Sequence, residues 1–342
     1  MKTVATLGSH CALQLLKGAK DEGFNTLIVT ERRREGLYRR FSFIDQFLGV
    51  ERFSEVVDEA KLRFLEEADS ILIPHGTLIS QVGVDLVEER LRVPIFGNRW
   101  ILRWEADRNL KDRLMRRAGL EPPRSFASPD EIDRLCIVKL PGAEGGRGYF
   151  LASNPKEFHE TFDALVKRGL IDPKLKSQVY IQEYAVGVPI YFQYFYSPLD
   201  DRLDLLGIDR RYETTVDSIG RIPARYQVDI DPTYIVVGNI PLVLRESLLE
   251  DVFEMGESFV KASKDLVQPG IIGPFCIEGV YDERGVFIPF EFSARIVAGT
   301  NLFISGSPYS ALLYDESMSM GRRIAVEIKR ASESNDLSKI LT

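Results

Sequence analysis

Ile137-Val138-Lys139-Leu140-Pro141-Gly142-Ala143-Glu144-Gly145-Gly146-Arg147-Gly148-Tyr149-Phe150 opens with apolar residues that run into a lysine, passes four glycines and returns to an apolar pair. The pattern reads as strand, loop, strand. Glycine lets a backbone come close to a ligand and aim its N–H groups at an anion, and a lysine just before such a loop can set a positive charge on a phosphate. Lys139, Gly145, Gly146 and Gly148 are therefore candidate phosphate contacts. An ordinary glycine turn has the same local appearance, so the reading depends on what the rest of the chain supplies. No Gly-Lys-Ser/Thr follows the glycines, so this is not a Walker loop.

Downstream, Val179 to Ala185 reads as a strand that ends in the polar run Gln182-Glu183-Tyr184, and Ile190 to Tyr196 as an aromatic-rich strand after the break at Gly187 and Pro189. Leu203 to Tyr212 is a further strand and Leu244 to Leu266 a long helix. Gly273 to Tyr281 and Val286 to Ser293 read as a hairpin across Asp282-Glu283-Arg284-Gly285, with a closing helix over Gly321 to Ser332. Counted out from that turn, Glu278 and Glu291 fall near each other on adjacent strands. Like charges so placed repel. The flanking Ile277, Val280, Phe290 and Phe292 indicate burial, so the two carboxylates need a compensating cation. Arg295 is one candidate. A divalent metal held jointly with phosphate oxygens is another. A solvated edge hairpin is the competing reading.

Upstream, Thr3 to Leu7, a helix over Cys11 to Glu22 and the strand Thr26 to Val29 form a βαβ unit, which predicts a parallel sheet. Ligands of such sheets sit at the carboxyl ends of the strands, where Ser9 and His10 fall. Another strand, Ser70 to Ile73, leads into Pro74-His75-Gly76-Thr77, followed by a helix over Ile79 to Leu91 and the strand Val93 to Phe96. No glycine-rich dinucleotide fingerprint is present. Five arginines lie between Glu31 and Arg40, either as a solvated face or as a lip that attracts a phosphorylated substrate. Arg99 to Ala118 has helical period with Gly119 as its cap, and Trp100 and Trp104, four apart, are expected in the core. The divisions expected are residues 1–98, an α/β domain; 99–124, a helical linker; 125–201, a small lobe with the glycine loop; and 202–342, a large lobe with the paired carboxylates.

A chain of 342 residues, 44% hydrophobic, exceeds one simple core and predicts two or three domains. A net charge of -7 argues against non-specific nucleic-acid binding. Cys11, Cys136 and Cys276 form neither a metal pattern nor a disulfide framework, as expected for free thiols in a reducing cytoplasm. No signal peptide is read at the start and no apolar run approaches the ~20 residues that span a membrane. Three histidines make a multi-histidine metal site an unfavourable reading.

Lysine strand, glycine loop, polar strand end and paired glutamates, taken together, resemble the ATP-grasp superfamily over essentially the whole chain. That resemblance implies a mixed α/β and α+β fold with a Rossmann-like parallel-sheet domain at the N-terminus. It places Lys139 on the phosphates of ATP, Glu183 and Tyr184 at the adenine, and Glu278 and Glu291 on Mg²⁺ or Mn²⁺. Many members carry an asparagine two residues after the second glutamate; here the position is Ser293. Longer strings narrow the resemblance: Gly8-Ser9-His10, Leu15-Leu16-Lys17-Gly18-Ala19-Lys20, Phe96-Gly97-Asn98, Asp209-Arg210-Arg211-Tyr212-Glu213, Ile219-Gly220-Arg221-Ile222-Pro223-Ala224 and Ser293-Ala294-Arg295-Ile296-Val297-Ala298-Gly299-Thr300-Asn301. These look like the archaeal formate-dependent ligases of purine biosynthesis, which formylate 5-aminoimidazole-4-carboxamide ribonucleotide (AICAR).

The narrower resemblance implies ATP, formate and AICAR as substrates and a homo-oligomer, often a hexamer. It carries ribonucleotide binding onto His10, Thr77 and Asn239, and ATP binding onto Glu213; Thr77 stands where serine is expected and keeps the hydroxyl. Formate needs one or two cations, and Arg295 and Arg211 are the candidates. His10 is a candidate for base or for substrate orientation, so Arg295 and His10 are the expected catalytic pair. Two other readings stay open: an ATP-grasp ligase for a different acid and amine, and a paralogue that binds ATP or the ribonucleotide without turnover.

Overall fold

The computed structural model describes residues 2–141, 148–228, 230 and 232–342. Gly145 and Gly146, two of the expected phosphate contacts, lie outside the described residues. The first sheet is parallel and has the order β3-β2-β1-β4, with β1 at Thr3–Leu7, β2 at Asn25–Glu31, β3 at Gln46–Val50 and β4 at Ser70–Leu72. All five β1 residues are buried, as a strand covered on both faces requires. One face is covered by the helix Ala12–Asp21 and by the helix Met320–Glu333 from the far end of the chain. A Cβ on Gly18 would lie 2.2 Å from Arg322 N, and one on Gly321 2.6 Å from Gln14 O. Only glycine at both positions lets these two backbones approach so closely. The C-terminal end also touches the first domain directly, through the bridge between Phe96 and Leu341.

The single helix expected over 99–118 is two: Ile101–Ala106 and Arg108–Arg117. Asp107 divides them, because its extended backbone and its carboxylate, which accepts from Asn109 N at 2.9 Å and Leu110 N at 3.0 Å, start the second helix afresh. The core placement expected for both tryptophans is corrected for Trp100 alone, since Trp104 packs against the core. Trp100 is 47% exposed, and Trp104 is half-buried with the Arg113 guanidinium over its ring. The long helix starts at Leu249 rather than Leu244 and ends at Leu266, after a short 3₁₀ turn at Glu246–Leu248.

An antiparallel four-stranded sheet follows, in the order β5-β8-β6-β7, with β5 at Ser125–Phe126, β6 at Cys136–Lys139, β7 at Tyr149–Ala152 and β8 at Tyr180–Glu183. The last sheet has the order β11-β10-β9-β12-β13, with β9 at Val188–Ser197, β10 at Arg202–Glu213, β11 at Val236–Pro241, β12 at Gly273–Tyr281 and β13 at Phe287–Ser293. The boundary expected at 201/202 cuts this sheet, since β9 is its central strand and does not belong with the small lobe. The physical reason is the apolar load of β9: Phe192, Tyr194 and Tyr196 enter the core beneath helix Leu249–Leu266, where Phe259 stacks on Phe275 at 5.3 Å. Cys11, Cys136 and Cys276 are buried free thiols. Among the described residues no helix is long and apolar enough to cross a membrane.

Candidate active site

The hairpin β12–β13 places Glu278 directly opposite Glu291 in the antiparallel register. Each carboxylate is met by a cation from another element. Arg211, on β10, donates from Nη2 to Glu278 Oε2 at 2.7 Å, and its guanidinium lies 4.3 Å from the centre of the Tyr191 ring. Lys111, on helix Arg108–Arg117, donates from Nζ to Glu291 Oε1. Ser293 Oγ donates to the remaining oxygen of Glu278 at 3.2 Å. Burial raises the Glu278 carboxyl above the usual range against the pull of Arg211, and the charge of Glu291 opposite adds to the rise. At Glu291 burial acts in the same direction, but Lys111 and Lys139 overcome it and hold the group well below the usual carboxylate range.

Two facing carboxylates and a hydroxyl form a hard-oxygen donor set, which suits Mg²⁺ or Mn²⁺ rather than a softer metal. Among the described residues no cluster of three or more His, Cys, Asp or Glu side chains could hold a metal alone. A cation at Glu278 and Glu291 thus needs further oxygens from a ligand, which is the usual arrangement for magnesium with a nucleotide.

His10 follows β1 in the left-handed region, with φ 45. A side chain seldom holds that conformation unless its surroundings enforce it. Here Asn301 Nδ2 donates to His10 O at 3.0 Å, while the ring Nδ1 lies 3.0 Å from Thr77 Oγ1 and 3.1 Å from Ser9 Oγ. Thr77 is fully buried after β4, and His75 beside it bonds Leu7 O through Nε2 at 2.8 Å. A parallel bridge between His75 and Ile296 draws this loop against the segment after β13, so Arg295 arrives beside His10. Gly76 makes room for both: a Cβ there would sit 3.2 Å from His10 Nε2 and 3.3 Å from Arg295 Nη2. Burial, with Arg295 and Arg211 adding, pushes His10 down to about 4, and burial pushes His75 down to about 3. Both rings are therefore neutral at pH 7.

Lys139 ends β6, opposite Tyr149 on β7 and Tyr180 on β8, and its Nζ donates to Gln182 Oε1 at 3.1 Å. Burial lowers its ammonium, and Glu291 opposes that shift. Gly148 lies just before β7 with φ 77. Glu183 N–H donates to Arg124 O at 2.8 Å and Tyr184 N–H to Leu135 O at 2.9 Å, so neither N–H is open to a ligand base. The Glu183 carboxylate accepts from Arg134 Nη1 at 3.2 Å. Tyr184 hydrogen-bonds Tyr234, whose hydroxyl feels the charge of Glu213 at the end of β10. Asn239, on β11 opposite Arg211, donates from Nδ2 to Asp209 Oδ2 at 2.8 Å. Four of the five arginines near 31–40 are engaged in ion pairs, with Glu31, Glu35 and Glu51, at the carboxyl end of the first sheet.

Glu105 and Lys111 were not singled out from the sequence. Glu105 Oε1 accepts from Arg295 Nη2 at 2.8 Å and Oε2 from Ala294 N at 2.8 Å. A signal existed for each. Glu105 lies four residues after the buried Ile101, and Lys111 three and four before the buried Leu114 and Met115. A charge on the apolar stripe of a helix calls for a buried partner.

Two sequence families match the chain: one described as "Domain of unknown function (DUF1297)", over residues 157–342, and one as "Protein of unknown function (DUF1246)", over residues 4–126. The 5-formaminoimidazole-4-carboxamide-1-(beta)-D-ribofuranosyl 5'-monophosphate synthetase of Nitrosopumilus maritimus is 54% identical over 344 residues, covering 100% of both chains. The protein of the same name in Methanocaldococcus jannaschii is 48% identical over 99% of this chain and 95% of that one. Among solved structures, the IMP biosynthesis protein PurP from Thermococcus kodakaraensis superposes with a TM-score of 0.78 at 31% identity, over 99% of this chain and 100% of that one. The N5-carboxyaminoimidazole synthetase from Staphylococcus aureus, complexed with ADP, superposes with a TM-score of 0.62 at 14% identity over 89% of this chain and 73% of that one; this likeness concerns the fold alone.

Proposed function

The chain belongs to the family of the 5-formaminoimidazole-4-carboxamide-1-(beta)-D-ribofuranosyl 5'-monophosphate synthetases, and on that premise we propose that its cleft formylates AICAR at the expense of ATP. It is an ATP-dependent carbon–nitrogen ligase of purine biosynthesis with an ATP-grasp fold. A formate oxygen attacks the γ-phosphorus, ADP departs, and the resulting formyl phosphate is attacked at carbon by the 5-amino group of the ribonucleotide. Phosphate leaves, the nitrogen loses a proton, and the formamido ribonucleotide remains.

The observation that supports this reading most is the His75–Ile296 bridge, which sets the His10–Thr77 loop against the arginine that follows the carboxylate hairpin. A divalent cation, Mg²⁺ or Mn²⁺, held by Glu278 and Glu291 with phosphate oxygens would supply charge neutralisation during phosphoryl transfer. Lys139 and Arg211 offset the phosphate charge, and Arg295 faces the acid. Gly148 approaches the phosphates, while Glu183, Tyr184 and Glu213 line the base and ribose end; Gly145 and Gly146, expected on the same phosphates from the glycine loop, lie outside the described residues. His10, Thr77 and Asn239 hold the ribonucleotide. A ring held near 4 is a poor proton acceptor at neutral pH, so His10 orients the substrate rather than acting as its base. A homo-oligomer, with a hexamer as one form, belongs to the same proposal.

The test is phosphate release from ATP and Mg²⁺ in the presence of AICAR, with and without formate, with the product weighed by mass spectrometry. Formate-dependent phosphate with a matching formamido product is expected. Phosphate without that product would replace the acid or the amine, and saturable binding without turnover would make the chain a nucleotide-binding paralogue.

A further inference from the structure

Both candidate metal carboxylates already carry a protein cation, and the two pairs differ in how firmly they are held. Glu278 is 2% exposed, its two oxygens are taken by Arg211 and Ser293, and Arg211 is itself stacked on Tyr191. In that pair the carboxylate is the enclosed member, 3% exposed in its side chain, while Arg211 is 33% exposed but pinned on the Tyr191 ring. Lys111 has a side chain 15% exposed, whereas Glu291 keeps 40% of its side-chain surface open to the cleft. A lysine is a compact charge on a flexible stem, free to swing where an arginine fork stacked on a ring is not.

The charges set the order of entry. Around the hairpin, Glu105, Glu278 and Glu291 face Arg211, Arg295, Lys111 and Lys139, and Asp209 and Glu213 also face Arg211, so the cations at the hairpin are already engaged by carboxylates. A divalent cation arriving alone has to strip Lys111 from Glu291, leaving a largely buried ammonium without a partner, which is costly. A nucleotide arriving first, or with the cation, brings phosphate oxygens that give Lys111 a new partner as Glu291 turns to the metal.

We infer that Lys111 is a placeholder cation, which occupies Glu291 until nucleotide enters and so excludes the divalent metal from the nucleotide-free chain. The inference rests on the reading of Glu278 and Glu291 as metal ligands. Lys111 is a positioning residue in this scheme, because it acts through Glu291.

The experiment is a titration of the full chain with Mn²⁺, free metal being followed by electron paramagnetic resonance, with and without ADP. For the unaltered chain, Mn²⁺ affinity is expected to be at least ~10-fold weaker without ADP than with it. Lys111→Met, which keeps the apolar stem, is expected to tighten nucleotide-free Mn²⁺ binding and shrink that ratio to within about threefold; Lys111→Arg is expected to preserve the ratio. Circular dichroism confirms folding of each variant, and Lys111→Gln replaces the methionine variant should the latter not fold. Equal Mn²⁺ affinity with and without ADP in the unaltered chain, or an unchanged ratio in Lys111→Met, overturns the placeholder. Failure of the underlying reading looks different: Mn²⁺ binding with ADP that Glu291→Gln leaves untouched removes the metal from this hairpin altogether.

Discussion

Glu105 and Arg295 meet at 2.8 Å, joining the helix before Asp107 to the segment that follows β13. The same carboxylate accepts the Ala294 N–H through its other oxygen, so one glutamate sets both the backbone and the guanidinium. Arg295 Nε is buried with no protein partner, and its Nη2 stands over Gly76 beside His10. A buried donor left without a partner is expensive, which fits a guanidinium reserved for a ligand anion.

Glu105→Gln removes the charge that orients Arg295 while keeping the shape of the side chain. The expected result is a fall in kcat of ~10-fold, with the KM for ATP within about twofold of the original. Steady-state kinetics with formate and ATP varied separately decides it. A parallel loss in ATP affinity would mean that the pair holds the lobes together rather than aiming Arg295.

Gly76→Ala adds a methyl group 3.2 Å from His10 Nε2 and 3.3 Å from Arg295 Nη2. Both neighbours have to shift by a few tenths of an ångström. Ribonucleotide turnover should fall about 10-fold or more, with nucleotide binding unchanged by calorimetry. Full activity in this variant would show that the space over Gly76 is not used.

Glu291→Gln keeps a hydrogen-bond acceptor for Lys111 but removes one negative donor from the hairpin. Magnesium-dependent turnover is expected to drop by ~10² or more, with the fold intact by circular dichroism. Unchanged turnover would sink the metal assignment.

Stability should fall on mild acidification. His75 sits at about 3 in the folded chain against 6.5 as its ordinary value, so between those limits the unfolded chain binds a proton that the folded chain refuses. Its contribution is complete above about pH 6.5 and declines as pH drops, by about 2 kcal/mol at pH 5. Urea unfolding at pH 7, 6 and 5 measures it. His75→Gln, which can still bond Leu7 O, should flatten the slope, and parallel curves for variant and parent would refute the account.

Much of the hairpin was legible locally. A turn of Asp282 to Gly285 pins the strands on either side, so Glu278 and Glu291 could be counted as near neighbours without a structure; their direct opposition comes from a register shift between Glu278 and Gly279 that counting does not supply. Lys139 at the end of β6 and His10 at the end of β1 were legible for the same reason: a polar residue after an apolar run marks a strand end. The allocation of β9 was not legible, because an apolar strand reads alike whichever sheet takes it. The break at Asp107 was missed since its helical period continues on both sides, and only the cap geometry shows two helices.

What the sequence determined by itself, then, is most of the strands, though not β3, β5 or β11, and the residues at their ends, along with the resemblance carried by its longer strings. Tertiary structure alone decided which cation answers which carboxylate. Lys111 reaches Glu291 across 180 positions, Glu105 reaches the backbone of Ala294 across 189, and Asn301 reaches His10 across 291. Periodicity reports the face a residue occupies within its own element, over a span of a few residues. Pairs this distant form only when two elements dock at one angle and one depth, and that is set by the packing of the whole core.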